Sequence, residues 1–367
     1  MNTLQLKADP TRLDSPEAQT SLEQAAVILR AGGLVALPTE TVYGLGANAL
    51  NAEAVESIFR AKQRPAWDPV IVHISNLEML NDLVQNVPPA ARKLMRAFWP
   101  GPLTLLLPRS KAVPDAVTSG RPLVGVRMPA HPVALELIRR AGVPVAAPSA
   151  NTFGHTSPTT AAHVLEDLDG RIDAVLDAGP TDHGVESTVL DPCQTPMIIY
   201  RPGAVTADEI RAVAGAVELY SSPEPLREAV PEQRLEGASA LQRIAEREAL
   251  PSPGVGLRHY APRARLILLE AAFEELSARL REAASGLANE RVGVMLPAEL
   301  TAPAEIAAVF AWGRWAAPAE MARELYAGLR ALDALECTVI LCPVPPVAGI
   351  GAAIRDRLLK AACSTLE

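Results

Sequence analysis

Hydroxyl and amide side chains follow the apolar segment 143–147. Ser149 and Asn151 come directly after it, and Ser157 and Pro158 begin six residues beyond Asn151. Ser157 followed by Pro158 predicts a helix start, with Ser157 as the N-cap and Pro158 in the first helical position. A strand end beside a helix N-terminus offers hydroxyls and free backbone N–H groups, so this region is suited to binding an anion. Taken alone, such a segment is more often an ordinary turn.

Basic side chains occupy comparable positions elsewhere. Lys62 and Arg64 lie at a predicted helix C-terminus, whereas Arg127 and Arg201 end predicted strands. Each has an ordinary explanation, since cations near a helix C-terminus complement the helix dipole. Together, however, they have no matching run of acidic residues. Because guanidinium forks and a lysine charge fit phosphate oxygens, the set favours a polyphosphate ligand.

Further polar residues at strand ends or in loops extend this set. They are Thr39, Thr41, Tyr43, His73, Thr104 and Ser187. A histidine inside an apolar strand, such as His73, is more often a satisfied core residue than a ligand. With the basic residues, these side chains favour a site for a polyphosphate and a small polar substrate.

Several other catalytic patterns are missing from the sequence. It has no Gly-rich phosphate loop ending in Lys-Ser or Lys-Thr, no Ser-centred nucleophile elbow and no helical His/Glu metal spacing. No residue is therefore predicted to act as a covalent catalyst. Catalysis at this site would rest on positioning and on electrostatic stabilisation of the phosphorus oxygens, usually with Mg²⁺ bridging the phosphates.

Short apolar segments alternate with amphipathic helices over residues 1–212. Ser15 and Asn51 are the predicted N-caps of the first two helices. The mixed order of strands and helices predicts an α/β domain, but the pattern does not fix the strand directions. Predicted strands cover residues 34–37, 70–74, 103–107, 123–128, 174–177, 187–191 and 197–201, and later helices cover 89–98, 131–141 and 208–214.

The composition changes over residues 213–263, which are predicted to be a linker. Its end, 251–262, is rich in Pro and Gly yet contains Arg258, His259 and Tyr260. Residues 264–367 return to regular alternation and predict a small parallel, doubly wound α/β domain. Gly349 and Gly351 favour a tight loop over a dinucleotide site, because the third glycine and the downstream acid are missing.

The composition limits the classes of function. The 367 residues carry a formal net charge of −8, which argues against a large nonspecific nucleic-acid surface. The length predicts two or three domains. Four cysteines without metal-ligand spacing predict a reducing cytoplasm. No signal pattern begins the chain, and no apolar run approaches the roughly 20 residues that span a bilayer. We therefore expect a cytoplasmic protein with no membrane partner.

A series of motifs resembles the YrdC-like family of threonylcarbamoyl-AMP synthases. They are Pro-Thr-Glu-Thr-Val-Tyr-Gly-Leu (38–45), Lys-Gln-Arg-Pro (62–65), Trp-Pro-Gly-Pro-Leu-Thr (99–104), Arg-Met-Pro (127–129), Pro-Ser-Ala-Asn (148–151), Ser-Pro-Thr (157–159) and Gly-Val-Glu-Ser-Thr (184–188). Ser-Pro-Gly (252–254) and His-Tyr-Ala-Pro (259–262), followed by an α/β domain, resemble the long two-domain form.

The resemblance implies a fold and an activity. The fold is a YrdC-like twisted mixed sheet with helices and a concave basic cavity, plus a small C-terminal Rossmann-like parallel α/β domain. The activity is a nucleotidyl transfer, in which L-threonine, bicarbonate and ATP, with Mg²⁺, give L-threonylcarbamoyladenylate and pyrophosphate. The product would serve the downstream threonylcarbamoyl-transfer machinery, which modifies adenosine 37 of tRNAs reading ANN codons. Contact with tRNA itself stays open.

The resemblance also implies roles for individual residues. The expected threonine-binding residues are Thr39, His73, Arg127 and Ser187, with Arg127 taking the substrate carboxylate by a bidentate contact. The expected ATP-binding residues are Lys62, Arg64, Ser149, Asn151, Ser157 and Arg201. We expect segment 251–262 to close over the site as a lid that brings His259 or Tyr260 near the substrate.

Two positions depart from the family pattern. Asp68 stands where the family usually has Asn before Pro, and it adds a negative charge beside the expected phosphate site. The linker reads Val-Gly-Leu at 255–257, where bulkier residues are common.

Two alternative functions stay open at this point. A non-catalytic RNA-binding YrdC-like module is disfavoured by the negative net charge and the lack of interleaved aromatic residues. A carbamoyl-transfer enzyme of the hydrogenase-maturation type would need zinc-finger cysteine pairs and an acylphosphatase-like segment, which the sequence lacks.

Overall fold

The computed structural model describes residues 2–220, 252, 260–362 and 364–366. The first unit runs β1 (Leu4–Lys7), α1 (Pro16–Arg30), β2 (Val35–Leu37), β3 (Gly44–Asn48), α2 (Ala52–Lys62), β4 (Ile71–His73), a 3-10 turn (Leu77–Met79), α3 (Leu80–Leu83), α4 (Pro89–Phe98), β5 (Leu103–Pro108), α5 (Asp115–Thr118), β6 (Leu123–Arg127), α6 (Pro132–Ala141), β7 (Val145–Ala146), α7 (Ala161–Leu168), β8 (Ala174–Asp177), β9 (Thr188–Asp191), β10 (Met197–Arg201), α8 (Ala207–Ala214) and β11 (Val217–Leu219).

The strands of this unit form one mixed sheet. Its order is β1-β8-β2-β3-β7-β4-β6-β5-β9-β10-β11. β4 and β6 are parallel, whereas β7 pairs antiparallel with both β3 and β4. Aliphatic side chains from both faces are fully buried, which gives the sheet the cover that largely apolar strands need. The predicted α/β class with a mixed sheet is confirmed.

The second unit is smaller and entirely parallel. It runs β12 (Arg265–Leu269), α9 (Phe273–Ser285), β13 (Val292–Leu296), β14 (Ala308–Ala311), α10 (Pro318–Ala334), β15 (Val339–Pro343), α11 (Gly351–Ala361) and β16 (Ser364–Leu366). The sheet order is β14-β13-β15-β12-β16, and every recorded pair is parallel. This agrees with the predicted Rossmann-like domain.

Helix starts test the predicted capping residues. The Ser15 and Asn51 side chains accept hydrogen bonds from the Ala18 and Ala54 backbone N–H groups, as predicted. The predicted cap at Ser157 is wrong, because α7 begins at Ala161 and Thr160 is its N-cap. Thr160 places its oxygen on the backbone N–H three residues ahead, which is the usual N-cap geometry.

Some elements carry no usable signal in the sequence pattern. β1, β3 and β14 are not among the predicted strands, although all three join the sheets. β11 lies within the region predicted as linker, yet it pairs parallel with β10. The predicted boundaries at residues 212 and 263 stay predictions. No helix in the described ranges is long and apolar enough to cross a membrane.

The two units pack directly against each other. Val42 and Val185 of the first unit are buried in the same hydrophobic cluster as Tyr326 of α10. Gly184 has φ +69°, and an added Cβ would lie 2.4 Å from the Ala322 carbonyl oxygen. The first unit therefore approaches the α10 backbone more closely than a side chain would allow.

Candidate active site

One cavity opens where the ends of several strands meet. It is lined by Thr39, Thr41, Val42, Gly44, Arg64, Pro69, Val70, Ile71, His73, Arg127, Ala147, Pro148, Ser149, Glu186, Ser187, Arg201 and Tyr260. His73 and Arg127 are paired neighbours at the ends of β4 and β6. The parallel pairing of these two strands brings distant parts of the sequence to the same edge of the sheet.

Arg127 is fixed by three protein contacts. Its Nε donates to the Gly101 carbonyl (3.2 Å), its Nη1 donates to Thr41 Oγ1 (3.0 Å), and its Nη2 lies 2.6 Å from Glu40 Oε1. Burial would raise the pKa of Glu40, but the Arg127 charge, together with hydrogen bonds from Arg127 and from the backbone, outweighs burial and lowers that pKa. A guanidinium has five N–H groups, so one N–H on each terminal nitrogen makes none of these three contacts.

Thr39 stabilises the turn between β2 and β3. Its Oγ1 donates to the Val42 carbonyl (2.6 Å) and accepts from the backbone N–H groups of Thr41 and Val42. Such side-chain bonds to nearby backbone are typical of Thr in turns. The turn therefore presents Thr39 and Thr41 to the cavity, whereas Glu40 is buried and does not line it.

His73 is buried at the end of β4. Burial and the adjacent Arg127 charge lower the pKa of His73 to about 3. The imidazole is consequently neutral at physiological pH. It can offer one N–H donor and one acceptor nitrogen to a ligand but no positive charge.

Ser187 and Arg201 form the opposite wall. Arg201 donates from Nε to the Ser187 carbonyl and from Nη2 to Ser187 Oγ, both at 3.1 Å. Thr104 Oγ1 lies 2.8 Å from the same hydroxyl. The three contacts orient the Ser187 side chain independently of the second unit.

Arg64 is held beside the loop that follows α2. Its Nη2 lies 2.9 Å from Asp68 Oδ2 and donates to the Pro69 carbonyl (2.7 Å), while Phe153 lies under its guanidinium. Asp68 is fully buried. The departure at position 68 therefore supplies a carboxylate that orients Arg64.

Lys62 is 1% exposed and does not line the cavity. Its Nζ donates to the Ser149 carbonyl (2.5 Å) and to the Asn151 carbonyl. Burial and the neighbouring Arg64 charge lower the pKa of Lys62 well below its usual value. In this arrangement Lys62 positions the backbone of 149–151.

The other expected ATP-binding residues divide into two groups. Ser149 lines the cavity, whereas Asn151 and Ser157 are buried behind its wall. Asn151 donates from Nδ2 to the carbonyls of Thr152 and His155, and Ser157 donates to Glu186 Oε1. Their binding roles stay predictions.

Tyr260 is buried and lines the cavity, and its proximity to substrate stays a prediction. Its backbone has φ +68°, an uncommon conformation for a non-glycine residue. The next residue, Ala261, donates its N–H to the Gly154 carbonyl (2.9 Å). His259 and residues 255–257 lie outside the described residues, and closure of the segment stays a prediction.

Acidic residues near the cations correct one expectation from the sequence. Asp68 pairs with Arg64, and Glu40 pairs with Arg127, so the expected lack of matching acids is wrong. Glu40 and Glu186 lie inside the recognised motifs but were not among the predicted site residues. A carboxylate between two hydroxyl residues at 39–41 was an available signal for Glu40.

The fold and the cavity together define a two-unit α/β protein whose cavity at strand ends is lined by three arginines. A family model described as Telomere recombination, covering Sua5, YciO and YrdC proteins, matches residues 27–203. A second model, described as Threonylcarbamoyl-AMP synthase, C-terminal domain, matches residues 205–363.

Individual relatives match over nearly the whole chain. The threonylcarbamoyl-AMP synthase of Bacillus subtilis is 42% identical over 93% of this chain and 92% of that protein. The Schizosaccharomyces pombe enzyme is 37% identical over 97% of this chain and 92% of its own. The crystal structure of Pyrococcus abyssi Sua5 complexed with L-threonine has a TM-score of 0.83 and 37% identity, covering 100% of both chains. The chain therefore belongs to the threonylcarbamoyl-AMP synthase family, in its two-domain form.

Proposed function

We propose that this chain forms L-threonylcarbamoyladenylate and pyrophosphate from L-threonine, bicarbonate and ATP. One observation carries the proposal: a single cavity in a member of this family brings Arg64, Arg127 and Arg201 together with four Thr and Ser hydroxyl side chains. Charged N–H groups of this kind bind phosphate and carboxylate oxygens by short, strong hydrogen bonds. The reaction class is a nucleotidyl transfer, since the adenylyl group passes from pyrophosphate to a carbamate.

Threonine would bind at the β2–β3 turn and the ends of β4 and β6. Arg127 would bind the substrate carboxylate through its two terminal N–H groups that are not used in the three protein contacts. Glu40 would act by orienting Arg127, and neutral His73 would add a hydrogen bond without adding charge. Thr39 and Ser187 are the remaining proposed contacts. The L-threonine complex of the Pyrococcus abyssi relative supports threonine as the substrate class.

ATP would bind on the side of Arg64, Ser149 and Arg201. Lys62, Asn151 and Ser157 would support this wall from behind, with direct phosphate contact requiring a change in their present partners. We propose that Mg²⁺ arrives with ATP and is bound by phosphate oxygens and water, the ligands that it prefers. The described ranges contain no group of three or more His, Cys, Asp or Glu side chains arranged to bind a metal.

The chemistry needs positioning but no enzyme nucleophile. The threonine amine attacks bicarbonate, or carbon dioxide derived from it, and the amine proton leaves with the bicarbonate hydroxide as water. The resulting carbamate oxygen attacks the α-phosphorus as the bond to pyrophosphate breaks. Arg64 and Arg201 would stabilise the charge that develops on the phosphate oxygens. Closure of 251–262, with His259 or Tyr260 at the substrate, would exclude water. The product would pass to the machinery that transfers the threonylcarbamoyl group to tRNA.

Pyrophosphate release from the purified full-length chain tests this proposal. The complete reaction contains ATP, Mg²⁺, bicarbonate and threonine, and matched controls omit one component each. We expect release that requires both threonine and bicarbonate. Pyrophosphate release that does not depend on threonine would contradict the proposal. A requirement for carbamoyl phosphate would favour the carbamoyl-transfer alternative.

A further inference from the structure

Glu186 joins the cavity wall to the second unit. Its Oε1 accepts a hydrogen bond from Ser157 Oγ (2.6 Å), and its Oε2 accepts one from Arg357 Nε (2.7 Å). The Tyr326 hydroxyl lies 2.9 Å from Oε2 and 3.1 Å from Oε1. One buried carboxylate therefore ties a hydroxyl of the first unit to two side chains from α10 and α11.

Arg357 contacts three parts of the cavity wall, at Glu186, Pro202 and Tyr260. The side chain is 1% exposed, and its Nη2 donates to the Pro202 carbonyl (3.0 Å), next to Arg201. Its guanidinium lies 5.1 Å from the centre of the Tyr260 ring. Tyr260 in turn stacks on Tyr326 with ring centres 5.8 Å apart. A buried arginine with this set of partners fixes their relative positions.

The residues around the threonine end receive none of these contacts. Arg127 is fixed by Glu40, Thr41 and Gly101, all from the first unit. The Ser187 hydroxyl is bound by Thr104 and Arg201, and Arg357 reaches Ser187 only through its chain neighbour Glu186 and through the Arg201–Pro202 segment. Loss of Arg357 should therefore disturb the nucleotide end of the cavity more than the Arg127 contacts at the threonine end.

We infer that Arg357 and Tyr326 are positioning residues for ATP, through which the second unit sets the geometry of Glu186, Ser157 and Tyr260. The inference rests on the proposed function and gives the second unit a role in it. Neither side chain lines the cavity. They act by fixing the wall against which the nucleotide binds.

Four variants test the inference. Arg357→Gln removes the charge and most contacts, Arg357→Lys keeps the charge without the planar fork, and Tyr326→Phe removes one hydroxyl. Arg355→Gln is the matched control, because Arg355 lies on the same helix and pairs with the exposed Glu270. For each full-length variant, KM for ATP, KM for threonine and the ATP dissociation constant by calorimetry are measured.

We expect Arg357→Gln to raise KM and the dissociation constant for ATP about tenfold, the size expected from losing one hydrogen bond to a charged group. KM for threonine should change less than about twofold. Arg357→Lys and Tyr326→Phe should fall between this variant and the wild type, and Arg355→Gln should match the wild type. The two milder variants preserve the test if Arg357→Gln does not fold.

Two results would overturn the inference. Equal increases in KM for ATP and threonine would mean a general loss of structure, and unchanged ATP affinity in all Arg357 and Tyr326 variants would mean a purely structural contact. Failure of the proposed function can be told apart from failure of this inference. If the proposed function fails, the wild-type chain releases no threonine-dependent pyrophosphate. The calorimetric comparison of the variants still measures ATP binding in that case.

Discussion

Replacing Glu186 by Gln removes the buried negative charge that Arg357 and Tyr326 contact where the two units meet. Burial alone would raise the pKa of Glu186, but the charges of Arg357 and Arg201 outweigh it and lower the pKa from its usual 4.5 to about 2. Each pH unit of this difference is worth about 1.4 kcal/mol, so ionised Glu186 stabilises the folded chain by about 3 kcal/mol at pH 7.

The sign of the pH dependence follows from the lower pKa in the folded state. The stabilisation is complete above pH 4.5, the unfolded value, and is lost as the pH falls toward 2. By pH 3 it should have fallen to less than half of its value at pH 7. The stability difference between the wild type and Glu186→Gln should therefore shrink over the same range.

Urea unfolding followed by circular dichroism measures this difference at several pH values. Glu320→Gln is the control, because Glu320 also pairs with an arginine, Arg314, but on the exposed surface. Solvent screens that pair, so we expect no measurable change in the free energy of unfolding. A Glu186→Gln difference below about 1 kcal/mol at pH 7, or one that does not shrink on acidification, would refute the reasoning.

Three further substitutions test other parts of the structure. Gly184→Ala should weaken the packing of the two units and lower the temperature of thermal unfolding, because residue 184 has φ +69° and its Cβ would lie 2.4 Å from the Ala322 carbonyl oxygen. An unchanged unfolding temperature would contradict the close approach. Arg127→Lys should raise KM for threonine about tenfold through loss of the planar fork, with ATP affinity nearly constant; equal effects on both substrates would reject the assignment. Asp68→Asn should weaken ATP binding measured by calorimetry, because Arg64 loses its orienting carboxylate, and wild-type affinity would show that Arg64 needs no such partner.

The elements that position the site are largely predictable from local patterns. Asn51 precedes an amphipathic segment, and its side chain caps α2 as predicted. The apolar runs that end at His73 and Arg127 form β4 and β6. These signals lie within a few residues of the structure that they specify, so a single sequence carries them.

Features that depend on distant partners could not be predicted in the same way. β1 has a single buried residue, Leu6, and exists because it pairs with β8 some 170 residues later. The Ser157 cap was wrong because Thr160 caps the helix instead, while the Ser157 hydroxyl donates to the distant Glu186 carboxylate. Only the tertiary fold decides between such local alternatives.

The acidic partners of the site arginines also could not be predicted from the sequence pattern. Asp68 lies four residues after Arg64 in a loop, where helical spacing does not apply, yet it folds back onto the guanidinium. Arg357 lies on α11, far in sequence from Glu186, and no motif marks it. The cations could be recognised from their positions at strand ends, whereas their partners required the three-dimensional structure.

Isotope labelling of the product tests the central claim most directly. The full-length chain is incubated with ATP, Mg²⁺, threonine and ¹³C-bicarbonate, and the nucleotide product is identified by mass spectrometry. The account predicts an adenylate that contains threonine and gains the mass of a single labelled carbon. An adenylate without threonine, or one containing threonine but no label, would contradict it.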